Sequence, residues 1–147
     1  MTLSAMPAVP HACAYRVAYA DTDRMGRVYY ANYFVFAERA RTELLRDAGH
    51  PYRAFEEGGL FFPVRRAEAR YHGPAFYDDE LTLTTLVVRL RHATLTCETR
   101  VLRPSEEKPL ATVIVELACV DATGRPTPIP ESLRQALRPH TAGATEP

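Results

Sequence analysis

The chain has 147 residues and a mass of 16.5 kDa, the size of one domain, and can bury roughly 70% of the surface its unfolded form exposes. Its 46% apolar and 24% charged residues exclude wholesale disorder, and 18 basic against 18 acidic side chains remove the electrostatic case for nucleic acid as the main partner. No apolar run approaches the ~20 residues of a membrane helix, residues 1–10 lack the pattern of a secretory signal, and three cysteines without CxxC or CxxH spacing exclude a structural zinc and predict reduced thiols in the cytoplasm.

Residues 1–11 are small and Pro-interrupted and residues 139–147 form a polar tail, so both ends are expected to fray around a single domain over 12–138. Cys13, Tyr15, Val17 and Tyr19 alternate with Ala14, Arg16, Ala18 and Ala20, which predicts a strand over 12–20. A polar loop over 21–27 follows, with Gly26 as its flexible point. Tyr33, Phe36, Ala37, Ala40, Leu44 and Ala48 then recur at helical spacing, predicting a helix over 31–48 that Asn32 caps and Gly49 ends. A short helical turn over 52–57 precedes a switch to strands over 60–72, 80–91, 93–103 and 109–120; Pro63 makes the first of these bulged or an edge strand. A Pro-rich exit leads to a short helix over 131–137. Short connections between successive strands predict antiparallel pairing, and one helix against one antiparallel sheet is a two-layer α+β arrangement. The uncovered sheet face and edge predict a second subunit.

The densest chemistry lies between Asp21 and Tyr33. Asp21 and Asp23 stand on a loop that feeds straight into a helix N-terminus, with its unpaired N–H groups and partial positive charge. A carboxylate can attack a carbonyl or activate water, and fixed N–H donors can hold the oxyanion that develops, which are the two requirements of acyl transfer. The same residues also fit a plain helix cap with solvated aspartates, and a DxD metal site lacks further ligands nearby.

Arg16-Val17, Asp21-Thr22-Asp23, Gly26, Val28-Tyr29-Tyr30, Asn32-Tyr33 and Glu38-Arg39-Ala40-Arg41 resemble the signature of the 4-hydroxybenzoyl-CoA thioesterase family. Pro74-Ala75 with Asp78-Asp79-Glu80-Leu81 resembles that family's hairpin between the second and third strands, and the resemblance extends over 15–137. It implies the hotdog fold, an α+β fold in which an antiparallel sheet of about five strands wraps one long helix. It also implies hydrolysis of an acyl-CoA to a free acid and CoA, with no cofactor and no metal. By position it implies Asp23 as nucleophile or general base, Gly26 as the glycine that lets the loop approach the thioester, and the Tyr30 backbone N–H as donor to the thioester carbonyl. Arg27, Val28, Tyr29 and Asn32 fall in the same stretch as substrate-binding positions. Homodimers with active sites at the subunit interface, paired into homotetramers, complete what the resemblance implies. Arg27, Tyr30 and Phe76 depart from the family, replacing respectively an Ile or Val, a His common in close bacterial relatives, and a common Arg.

Elsewhere, Asp21 reads as a loop or cap residue, and Glu38 and Arg41 are spaced for an ion pair. His50 stands where it can meet the helix C-terminus, and His72 is a turn residue beside Gly73-Pro74. Cys97 and Cys119 read as small buried residues. Arg65, Arg66, Arg70, Arg89 and Arg91 fit either CoA phosphates or a solvated face. Phe34, Phe36, Phe61 and Phe62 fit either a pocket or the core. The absence of GxSxG argues against a serine thioesterase, and the absence of a loop histidine against a hydratase. A thioesterase acting on an acyl carrier protein and a non-catalytic acyl-CoA-binding protein remain as alternatives.

Overall fold

The computed structural model describes residues 6–143. In chain order it forms β1 (His11–Arg16), α1 (Asn32–Asp47), α2 (Tyr52–Glu57), β2 (Val64–Tyr71), β3 (Glu80–Leu90), β4 (Thr94–Leu102), β5 (Ala111–Ala118) and α3 (Glu131–Leu137), with single 3-10 turns at Tyr19–Asp21 and Arg138–His140. The five strands make one antiparallel sheet in the order β1-β3-β4-β5-β2, and α1 crosses one face of it. This is the α+β hotdog arrangement.

All of the stripe read from the sequence packs except Ala48, which is the half-buried C-cap of α1. Tyr33, Phe36, Ala37, Ala40, Leu44 and Leu45 are buried on α1, and they meet Leu81, Leu83 and Val87 of β3, Cys97 and Val101 of β4, and Val113 and Val115 of β5. Each fully buried large side chain contributes roughly 1.5–3 kcal/mol. The small residues Ala37 and Ala40 let the helix come close to the sheet. Buried Thr85 and Thr99 satisfy each other across β3 and β4 at 3.0 Å. Helix α1 ends as Gly49 predicts: Gly49 takes φ +84°, its N–H donates to Arg46, and the His50 N–H donates to Leu45, the paired bonds of a Schellman cap.

Four expectations need correction. The first strand stops at Arg16, because Val17 turns into the core and the chain tightens into the 3-10 turn at Tyr19–Asp21. Asn32 is the first residue of α1 rather than its cap, and the preceding Ala31 offers no capping side chain. Strands β2 and β3 are not neighbours: β2 pairs with β5 at the far edge, and residues 72–79 cross the end of the sheet between them. Arg103 anchors that crossing by donating to the Pro74 carbonyl at 2.8 Å and the Asp79 carboxylate at 3.1 Å. Finally, Glu38 and Arg41 form no ion pair; Arg39 instead lies over the Tyr15 ring, 5.2 Å from its centre.

The fraying expected at the ends falls partly on residues 1–5 and 144–147, which lie outside the described residues. Within them, the Val9 N–H donates to Pro139, His140 Nδ1 lies 2.7 Å from the Val9 carbonyl, and the Ala142 N–H donates to Val87. His11, at the start of β1, reaches Asp47 at the end of α1 over 2.7 Å.

Candidate active site

The loop between β1 and α1 folds back on itself as a small hairpin. Thr22 bridges Val28, the Asp23 N–H donates to Arg27 at 2.7 Å, and the Gly26 N–H returns to the Asp23 carbonyl at 3.0 Å. Gly26 takes φ +75°, the left-handed residue that closes a three-residue loop of this kind. A Cβ there would meet nothing within 4 Å, so glycine is required by backbone conformation and not by space.

That turn presents the Asp23 carboxylate in a defined way. Oδ1 accepts the Met25 N–H at 2.8 Å and the Arg27 N–H at 3.3 Å, while Oδ2 has no partner among the described residues. One oxygen is anchored and the other is free. Val28 is buried and donates to the Ala75 carbonyl at 2.8 Å, which ties the loop to the 72–79 crossing; Arg27 bridges Phe76 on the same crossing.

The start of α1 is fixed just as closely. The Tyr29 carbonyl accepts the Asn32 N–H at 2.9 Å, and the Tyr30 carbonyl accepts the Tyr71 hydroxyl at 2.9 Å. Between these two held carbonyls, the Tyr30 N–H has no acceptor among the described residues. It belongs to the turn that leads into α1, one residue before the Ala31 cap and so beside the positive end of the helix dipole.

Asp23, Arg27, Val28 and Tyr30 line one open groove of about 340 Å³, closed on the other side by Tyr33, Tyr71, His72, Gly73 and Pro74. Gly26, Tyr29 and Asn32 do not line it. Gly26 shapes the turn, the Tyr29 ring packs tilted against that of Tyr30 with centres 4.8 Å apart, and the Asn32 side chain donates to the Asp21 carbonyl at 2.8 Å. A larger concavity of about 550 Å³, between α1 and β1, is lined by Cys13, Tyr15, Glu38 and Arg39 but contains neither Asp23 nor Tyr30.

Tyr33, Tyr71 and His72 are the groove residues that sequence reasoning missed as site residues. Strand alternation carries the signal for Tyr71: it continues Ala67 and Ala69, whose partners Val115 and Val113 are buried, so it emerges on the helix side at the end of β2. Tyr30, Tyr71, Tyr33 and Phe36 form a chain of edge-on ring contacts running from the groove into the core. Burial holds the Tyr33 and Tyr71 hydroxyls above the usual tyrosine range, so both are neutral at ordinary pH.

The arginines considered for CoA phosphates do not gather at this groove. Arg65 pairs with Glu116 and Arg66 with Glu68; Arg66 and Arg89 line a separate concavity with Glu68, Glu116 and Ile114. His50 stacks on Phe55 with ring centres 5.7 Å apart and lies outside the groove. Cys97 and Cys119 are buried, and burial pushes the Cys97 thiol up to about 11. Among the described residues no group of three or more His, Cys, Asp or Glu side chains could hold a metal ion, and no helix is long and apolar enough to cross a membrane.

Residues 17–137 match the model of the thioesterase-like superfamily. An acyl-CoA thioesterase, YbgC, of Haemophilus influenzae is 38% identical over 124 residues, covering 83% of this chain and 90% of the relative. The acyl-CoA thioester hydrolase YbgC of Escherichia coli O6:H1 is 36% identical over 119 residues, covering 80% of this chain and 88% of the relative. Among solved structures, a probable thioesterase from Bartonella henselae superposes with a TM-score of 0.77 at 39% identity, over 83% of this chain and 100% of the other.

Proposed function

The chain belongs to the thioesterase-like superfamily and is a thioester hydrolase, and we propose that it hydrolyses an acyl-CoA with Asp23 as general base and the Tyr30 N–H as oxyanion donor. The observation that carries this reading is the pairing of a half-anchored carboxylate with an unpaired N–H in the turn that opens α1, both from residues lining one groove. Oδ1 is held by two backbone donors, which leaves Oδ2 to take a proton. The groove is open, so water reaches it.

In the step proposed, Asp23 Oδ2 accepts a proton from water as the water oxygen bonds to the thioester carbon. The carbonyl oxygen becomes an oxyanion and is bound by the Tyr30 N–H, a donor already aligned before the charge develops. Collapse of the tetrahedral intermediate breaks the carbon–sulfur bond. The departing thiolate receives the proton from Asp23, which regenerates the carboxylate and releases the acid and CoA.

Thiol release from acyl-CoA, followed by single-turnover hydrolysis in heavy-oxygen water, tests the reading. Label should appear in the product acid and not in the protein. Label in the Asp23 side chain would make Asp23 a nucleophile that forms an anhydride, and no thiol release from any acyl-CoA would overturn the substrate assignment.

The proposal includes a homodimer built at the β2 edge. Every residue of β2 is exposed or half-exposed, and the strand leaves one side of its backbone unpaired. Tyr71, at the end of that strand, lines the groove, so a subunit docked there would complete its wall.

A further inference from the structure

Asp21 lies two residues before Asp23 and does not line the groove, yet the hydrogen bonds of the loop converge on it. Its carboxylate Oδ2 accepts the Tyr15 hydroxyl at 2.5 Å and the Ala18 N–H at 2.8 Å. Its main-chain carbonyl accepts the Tyr29 N–H at 2.9 Å and the Asn32 side-chain N–H at 2.8 Å. These partners come from the strand before the loop, the residue that precedes the 3-10 turn, the residue before Tyr30 and the first turn of α1.

The peptide that carries the Tyr30 N–H is therefore fixed at its own carbonyl, that of Tyr29, and at the Tyr29 N–H just before it. Asp21 holds the N–H of Tyr29 on one side, and the Asn32 N–H that bonds the Tyr29 carbonyl belongs to a residue whose side chain is also tied to Asp21. Tyr15 is the rigid end of this chain. Its ring packs on Phe36 with centres 4.7 Å apart and carries the Arg39 guanidinium over its face. The hydroxyl is thus held in place by packing that the loop itself does not supply.

We propose that Tyr15 and Asp21 are positioning residues of the reaction, holding the Asp23 carboxylate and the Tyr30 N–H at the separation the transition state needs. The proposal rests on the reading of Asp23 and Tyr30 given above. Because neither Asp21 nor Tyr15 faces the groove, they act on rate and not on substrate binding. Misplacement of reacting groups by ~1 Å costs as much as about a hundredfold in rate.

The test compares Tyr15→Phe, which keeps the ring and removes the hydroxyl, with Asp21→Asn, their double variant, and Asp23→Asn, all with acyl-CoA. Tyr15→Phe is expected to lower kcat by about ten- to a hundredfold with KM within about twofold of the parent. Asp21→Asn should do the same, and the double variant should be no slower than Asp21→Asn alone, because both break one link. The amide resonances of Tyr29 and Tyr30 should move in Tyr15→Phe while those of β4 and β5 stay, a local signature that general loosening would not give. Unchanged kcat in Tyr15→Phe and Asp21→Asn, with Asp23→Asn inactive, overturns the positioning role. So does a rise in KM at unchanged kcat. A fully active Asp23→Asn would instead refute the reading of the site on which the proposal rests.

Discussion

Replacing Gly26 by alanine isolates the backbone requirement of the turn that carries Asp23. Gly26 sits at φ +75°, where an L-residue with a Cβ is strained by about 1–2 kcal/mol. Nothing lies within 4 Å of the added methyl group, so no steric cost is added to that strain. For a chain of this size the loss corresponds to a fall in Tm of roughly 2–8 °C. The strain is relieved by opening the turn, which loosens the Gly26 N–H bond to the Asp23 carbonyl and the paired Asp23–Arg27 backbone. Thermal unfolding and thiol release from acyl-CoA, measured on the same preparation, should show a modest loss of stability and a larger loss of kcat. Gly26→Asn provides the control, since asparagine tolerates the left-handed region better than alanine, and it should recover part of both losses. If Gly26→Ala matched the parent in Tm and kcat, or if asparagine were no better than alanine, the turn would not be what places Asp23.

Three further outcomes follow from the geometry. Tyr71→Phe removes the donor to the Tyr30 carbonyl while keeping the edge contact with Tyr33, so kcat should fall severalfold with little change in Tm, read by thiol release and thermal melting. Phe36 is fully buried between Tyr15 and Tyr33, so Phe36→Ala should cost about 3–5 kcal/mol in urea unfolding. Burial, then the hydrogen bond to Asp21, raises the Tyr15 hydroxyl to about 12. The neutral hydroxyl is the form the fold favours, so this contribution is whole below the ordinary tyrosine value near 10 and fades as pH rises through about 12. Near-ultraviolet titration of Tyr15→Phe against the parent should remove the highest-titrating tyrosine, and its removal should abolish that part of the alkaline stability loss.

Where a side chain's environment is set by its own segment, the sequence is legible. The α1 stripe, the Gly49 stop, the short helices at 52–57 and 131–137, and the edge character that Pro63 imposes on β2 all appear where periodicity and turn chemistry place them. Strand β3 shows the limit: a bulge between Val87 and Arg89 shifts the alternation, so Val87 and Leu90 are both buried although they differ in parity. A period of two cannot reveal an inserted residue. Sheet order is equally hidden, because β2 and β3 are close in sequence yet have β4 and β5 between them. At the site, local pattern and resemblance point to Asp23, Arg27, Val28 and Tyr30, and all four line the groove. Tyr71 and His72 enter it from the far edge of the sheet, and Asn32 turns out to bind the loop instead of capping the helix. Those facts depend on which segments meet in space, and no spacing along the chain encodes them.

The central claim is that the free oxygen of Asp23 does the chemistry, and Asp23→Asn tests it most directly. Asparagine keeps an oxygen to accept the Met25 and Arg27 N–H groups, so the turn should persist. It removes the base. Thiol release across a panel of aromatic and aliphatic acyl-CoAs should fall by about a hundred- to ten-thousandfold in the variant, with its melting temperature close to the parent's. A folded Asp23→Asn protein that released thiol at the parental rate would contradict the account.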